Sequence, residues 1–191
     1  MQRISSSKQV GILDKSLSRG KAEVNLTSFA LLFSEMIRYA QNRSSTVDEV
    51  QTRLANFGKF IGVRLLDVIV LREKGYRRET KLLNMLSFVQ RTIWKNLFNK
   101  EAEQLLQSNE NQYQYSIMEN EPLVNTYISV PKDKGCLNCA SFNAGIIEGI
   151  LVASNFPCNV TAIWHEGMTG YVIMFDKSVI ERENELLEAN R

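Results

Sequence analysis

The apolar period of the chain changes near residue 110, and that change constrains the fold more than any single motif. Up to about residue 107 apolar residues return every three to four positions, the helical spacing. From Tyr113 onward Tyr113, Tyr115 and Ile117 alternate with Gln114, Ser116 and Met118, the spacing of a half-buried strand. Grouped helices followed by hairpin-spaced strands predict an α+β domain.

The helical half divides into three segments. The first spans about 25–39, where Leu26, Phe29, Leu32, Phe33, Met36 and Ile37 belong to an apolar stripe covering about half the wheel, wider than one packing contact needs. The second opens on Thr46-Val47-Asp48-Glu49, a capping-box pattern. Val50, Leu54, Phe57, Ile61, Leu65 and Val68 then recur in steps of three and four, and Gly75 suits its C-terminal cap. Gly58 and Gly62 lie one turn apart within it; each costs about 1 kcal/mol against alanine, which predicts close approach of another backbone or a large side chain. The third segment, about 79–107, is apolar almost all round until Phe98, as in a buried central helix.

The remainder reads as a strand at 113–118, a turn at Glu119-Asn120-Glu121-Pro122, a second strand at 123–130 and a loop to Gly135. A fourth helix at about 137–154 carries Gly145 and Gly149, small residues suited to close packing. A hairpin at 158–165 and 170–175 follows, then a charged helix at 177–189. The expected order is α-α-α-β-β-α-β-β-α, with helices packed on a four-stranded antiparallel sheet. Residues 1–23 read as a mobile tail that docks in part through Ile12, Leu13 and Leu17, and 24–191 as one domain.

Chemistry is scarce in the sequence. The formal net charge of +2 comes from mixed signs and gives no basic footprint for nucleic acid. Cys136, Cys139 and Cys158 are an odd number of thiols and read as no disulfide framework. Cys136 and Cys139 could join Cys158 and His165 around zinc, but the spacing is wrong for the usual second pair, and structural thiols are the preferred reading. His165 is the only histidine, and no phosphate loop, dinucleotide fingerprint or H-E-x-x-H motif is found. No apolar leader and no stretch of membrane-spanning length is visible, so a reducing, cytoplasmic setting is expected. No enzyme activity, cofactor, metal or nucleotide is expected.

Several segments resemble the small subunits of the transport protein particle (TRAPP). These are Phe60-Ile61-Gly62-Val63-Arg64-Leu65-Leu66-Asp67, Arg78-Glu79-Thr80, Glu119-Asn120-Glu121-Pro122-Leu123-Val124, and Leu137-Asn138-Cys139-Ala140-Ser141-Phe142 with Gly145 and Gly149. The likeness runs over about 24–176, and the α-then-α/β layout agrees with the family fold. Arg72-Glu73-Lys74-Gly75, Arg77-Arg78-Glu79-Thr80-Lys81 and Asn125-Thr126-Tyr127-Ile128-Ser129-Val130-Pro131 single out one subunit type within the family.

The resemblance implies a scaffold subunit of a cytoplasmic complex that tethers vesicles between endoplasmic reticulum and Golgi apparatus. That complex activates a Rab GTPase through other subunits, and lies peripherally at cis-Golgi and endoplasmic reticulum membranes. It implies neighbours like subunit 3 and sedlin, met partly through the N-terminal helix, so Phe29, Phe33 and Met36 are the expected partner-binding residues. In the family, subunit 3 carries an acylated cysteine shortly before Arg-Glu-Thr; here residues 72–78 contain none, and Tyr76 stands nearest. A small-molecule or acyl-chain binding domain, with room left at Gly58, Gly62, Gly145 and Gly149, is the competing reading. Tight helix packing at those glycines is favoured over it.

Overall fold

The computed structural model describes residues 24–72, 78–130 and 135–189; Gly75, Tyr76, most of the loop before Gly135 and the segment 1–23 lie outside them. Two long helices come first, α1 (Leu26–Gln41) and α2 (Val47–Arg72). The Asn25 side chain accepts from Thr27 N–H to start α1. At α2 the Thr46 hydroxyl accepts from Glu49 N–H at 3.2 Å, while the Glu49 carboxylate reaches one residue further back, to Ser45 N–H at 2.7 Å.

The third helix is continuous but changes pitch. It runs as α3 (Leu82–Ser87), a π-helical stretch (Phe88–Ile93) and α4 (Trp94–Phe98). The wider turn swings Phe88, Val89, Ile93 and Trp94 all into the core, which accounts for apolarity on nearly every side. Its start is capped from afar, Leu82 N–H donating to the Glu183 carboxylate at 3.0 Å.

Next come β1 (Gln104–Gln107), β2 (Gln114–Glu119), a one-turn helix α5 (Leu123–Thr126) and α6 (Ser141–Ala153). The chain closes with β3 (Cys158–His165), β4 (Met168–Phe175) and α7 (Lys177–Ala189). The strands form one antiparallel sheet in the order β1-β2-β4-β3. The α+β class, the helix-covered four-stranded sheet and the order α-α-α-β-β-α-β-β-α are those expected, with α5 added.

Two of the expected segments are corrected. The third helix does not extend to 107, because Asn99 adopts a left-handed conformation (φ 57°) and ends it. Gln90 then clamps the returning chain through bonds to Ala102, and Gln104–Gln107 becomes the edge strand. Residues 123–130 are no strand. Pro122 starts the turn of α5, with Asn125 N–H and the Thr126 hydroxyl both donating to its carbonyl. Both sides of β2 are already taken, by β1 and β4.

The core centres on α6, which is buried from Ser141 to Leu151 between α2 and the sheet. Contact with α2 is backbone to backbone. A Cβ on Gly58 would meet Phe142 O and lie 2.8 Å from Ile146 N; one on Gly62 would meet Ile146 O. One on Gly145 would meet Ala55 O, and one on Gly149 would lie 2.5 Å from Lys59 O. Contacts climb both helices together, so α2 and α6 run in the same direction.

At an exposed helix position Gly→Ala adds about 1 kcal/mol of stability. Here the sign should reverse. Gly62→Ala and Gly145→Ala are expected to lose about 1–3 kcal/mol, the overpacking range, and Gly62→Leu more, measured by urea unfolding.

Candidate interaction surface

The sequence-predicted residues of α1 divide. Phe33 is 2% exposed and belongs to the core, stacked on Phe29 (5.9 Å between ring centroids) and edge-on to Phe142 (5.3 Å). Phe29 and Met36 are half-buried against that core. Leu31, Leu32 and Tyr39 remain open, Leu32 at 62%. Leu32 and Tyr39 are seven residues apart, so they share a flank of α1 beside Phe29 and Met36. The Tyr39 ring lies 6.1 Å from Phe57 of α2, with the Arg43 guanidinium 4.5 Å over it.

This flank continues onto α2. With 16 residues α1 is about 24 Å long; α2, with 26, is about 39 Å. The shorter helix cannot cover the longer one. Along the flank of α2 that buries Val50 and Leu54 near its start, Ile61 and Val68 stay exposed further on. Phe60 is 67% exposed and Leu71 is also open. The sequence reading named the stripe of α1, Leu32 included, but took Phe29, Phe33 and Met36 rather than its open members as the expected partner-binding residues. A helical wheel centred on Phe33, Ile37 and Ala40 places Leu32 and Tyr39 on its shoulder.

At the far end of α2 lies an open groove of about 740 Å3. Leu66, Val70, Leu71, Met85 and Phe88 form its apolar walls, and Arg78 and Glu79 stand beside it.

The polar groups converge on structural bonds. The Tyr171 hydroxyl donates to the buried Glu119 carboxylate at 2.6 Å and accepts from Asn143 Nδ2 at 3.1 Å. Lys100 Nζ is 3.2 Å from the same carboxylate. Burial first, then the Glu119 charge, pushes the Tyr171 phenol well above its ordinary range, so it stays a neutral donor.

The thiols do not converge. Cys136 is exposed while Cys139 and Cys158 are buried. Cys158 pairs with Phe175 at one end of the β3–β4 hairpin, and His165 with Met168 at the other. Among the described residues no group of three metal-ligating side chains forms, and no helix is long and apolar enough to cross a membrane.

Two outcomes follow. A maleimide reagent should modify Cys136 in the native chain and spare Cys139 and Cys158 until urea is added, read by intact mass. Burial moves the Cys139 thiol from its ordinary 9.0 to about 11. The unfolded chain therefore loses that proton first, so the associated stability is whole below pH 9 and lost as pH rises to 11. Burial, the largest cause, shifts Cys158 in the same direction. Chemical denaturation should show stability falling from pH 9 upward.

The comparisons with known proteins bear on what such a surface serves. The sequence model described as "Transport protein particle (TRAPP) component" matches residues 29–178. Over 175 residues the chain is 51% identical to human trafficking protein particle complex subunit 5, covering 92% of this chain and 93% of that one. Over 179 residues it is 49% identical to the Dictyostelium discoideum subunit 5, covering 91% and 96%. Over 238 aligned positions it is 27% identical to Saccharomyces cerevisiae subunit 31, covering 90% and 83%. The combinations of residues that single out one subunit type thus agree with the relatives' names. Among solved structures, a Naegleria fowleri trafficking protein particle complex subunit 3 covalently bound to palmitic acid matches with TM-score 0.71 at 16% identity. That match covers 80% of this chain and 96% of the other, and it shows the fold alone.

Proposed function

Because this chain belongs to the family of transport protein particle (TRAPP) components and is a subunit of that kind of complex, we propose that it works as a non-catalytic scaffold subunit. In this reading it bridges a subunit 3-like and a sedlin-like neighbour. The complex tethers vesicles between endoplasmic reticulum and Golgi apparatus and promotes nucleotide exchange on a Rab GTPase through other subunits. The chain is cytoplasmic, and reaches cis-Golgi and endoplasmic reticulum membranes peripherally through the complex.

The observation that carries this reading is the open apolar flank shared by α1 and α2. Aromatic and methionine side chains are enriched at interface centres, and an apolar patch of this kind seldom stays uncovered in a working protein. Leu32, Tyr39, Ile61 and Val68 would form the contact, with Phe29 and Met36 supporting it from below. Phe33 serves the interface only by holding α1 in place.

A second reading rests on the groove at the end of α2, whose apolar walls suit a small molecule or an acyl chain. Its covalent form lacks a nucleophile, since residues 72–78 contain no cysteine. Native mass spectrometry of the purified chain distinguishes the two, because a co-purifying ligand mass supports the groove.

Leu32→Asp, at an exposed position, should shift folding stability by no more than about 0.5 kcal/mol, and Tyr39→Ala, which gives up the ring contact with Phe57 and the Arg43 guanidinium, by about 1–2 kcal/mol. Both should lose the subunit 3-like partner in pull-down. Phe33→Ala should instead cost about 3–5 kcal/mol in the isolated chain. Full retention of the partner by both surface variants would move the interface off this flank.

A further inference from the structure

The sheet has two edges, and they are not alike. The β1 edge is four residues long. The β3 edge is eight, Cys-Asn-Val-Thr-Ala-Ile-Trp-His, without proline, lysine or bulge. Shortness, lysine, proline and bulges are the usual guards of an edge against pairing with another chain.

Hairpin geometry decides which backbone groups of β3 face outward. The turn Glu166-Gly167 has positive φ at both residues (48° and 80°), the two-residue primed turn. Its flanking pair His165–Met168 therefore exchanges hydrogen bonds, and so does every second pair back to Asn159–Met174. The N–H and C=O groups of Val160, Ala162 and Trp164 point to the open side. The Val160 N–H confirms this direction, being found on the Glu148 carboxylate at 3.3 Å. The open side of Ala162 and Trp164 meets no hydrogen-bond partner among the described residues.

Beyond that edge the helical layer is wider than the sheet. α6 underlies β3, and α2 lies alongside α6, tied through Lys59–Glu148 at 2.7 Å. Between α2 and β3 runs a groove of about 280 Å3, with Thr52, Ala55 and Lys59 on one side, Ala144 on the floor, and Val160 and Ala162 on the other. It has the place and the floor of a fifth strand.

We infer that the β3 edge takes one extended segment of a partner chain, which pairs with Val160–Trp164 and packs its inward side chains on α2. A second copy is the wrong occupant. Its own α2 overhangs its own β3, and a twofold pairing would drive each α2 into the other's α6. Charge points to the segment's character. Glu148 is neutralised by Lys59, whereas Asp48, which also lines the groove, has no ion pair among the described residues. The segment should place a Lys or Arg opposite Asp48.

This inference rests on the scaffold role proposed above. Its test is hydrogen–deuterium exchange resolved to single amides, on the isolated full chain and on the TRAPP complex purified with its native subunits. Ala162 and Trp164 should exchange freely in the isolated chain and ~10-fold or more slower in the complex. Cross-linking should place a basic extended segment of another subunit beside Asp48. Ala162→Pro removes a donor that serves no bond within the sheet, so the chain should fold with unchanged circular dichroism yet lose that neighbour. Thr161→Pro, which breaks the β3–β4 ladder, is the control for misfolding. Slow exchange already in the isolated chain would mean that its own residues cover the edge, and overturns the inference. A second copy found cross-linked there overturns it equally. Absence of this chain from the complex would overturn the scaffold role as well; presence with unslowed edge amides overturns the added strand alone.

Discussion

The missing Cβ atoms at the crossing of α2 and α6 fix the positions of nearly everything else. Four glycines, two on each helix, let the backbones meet where any side chain would strike a carbonyl. The arrangement gives up about 1 kcal/mol of helix propensity at each site. In return α6 can be sheathed on both sides and buried along its length. Since α6 also lies against the sheet, the crossing sets where α2 sits relative to β3. The overhang of α2, the groove above it and the flank it shares with α1 all descend from that one contact.

Polar groups reinforce the same geometry from the other side of α6. Glu119 on β2, Tyr171 on β4 and Asn143 on α6 form one chain of hydrogen bonds inside the core. Breaking one partner of such a network would leave a buried charge unmatched, so it acts less as added stability than as a choice of register. Lys100 extends it outward, donating also to Asn120 O at 2.9 Å, while the Glu103 carboxylate accepts from Asn120 N–H at 3.1 Å. The turn at Asn120, which follows β2, is thereby tied to the segment that leads into β1. Carboxylates and a phenol that could look like acid–base machinery are held here as structural bonds.

The long periodic segments could be read from the sequence because a helix or strand with one buried face must repeat its apolar residues. α1, α2 and the β3–β4 hairpin belong to that group. The capping box was legible for the same local reason. What escaped was decided by distant partners. A strand of four residues carries too few alternations to announce itself, and Gln104–Gln107 becomes one only because β2 lies beside it. Leu123 to Val130 has strand-like residues, but β2, the strand beside which the turn would return it, is already paired on both sides. Asn99 was a usable signal, since asparagine takes the left-handed conformation more readily than most residues. At the candidate surface, the stripe on α1 could be seen, but the division into Phe33 inside and Leu32 outside depends on where Phe142 lies in space.

A protein acts through the groups it brings together in reach of solvent. Among the described residues the groups with reactive chemistry are either dispersed or enclosed. His165 and Cys136 are exposed singly, Cys139 and Cys158 are buried, and the Glu119–Tyr171 pair is sealed in the core. Open apolar side chains gather on the α1–α2 flank, and open backbone groups gather along one strand edge. Neither can transform a substrate, but both gain free energy when another polypeptide covers them, one by burying area and the other by completing hydrogen bonds. They lie on either side of α2, a helix held rigidly by its glycine contact. In the scaffold reading proposed above, the two surfaces would grip separate neighbours at a fixed mutual orientation, which is the physical requirement of a bridging subunit.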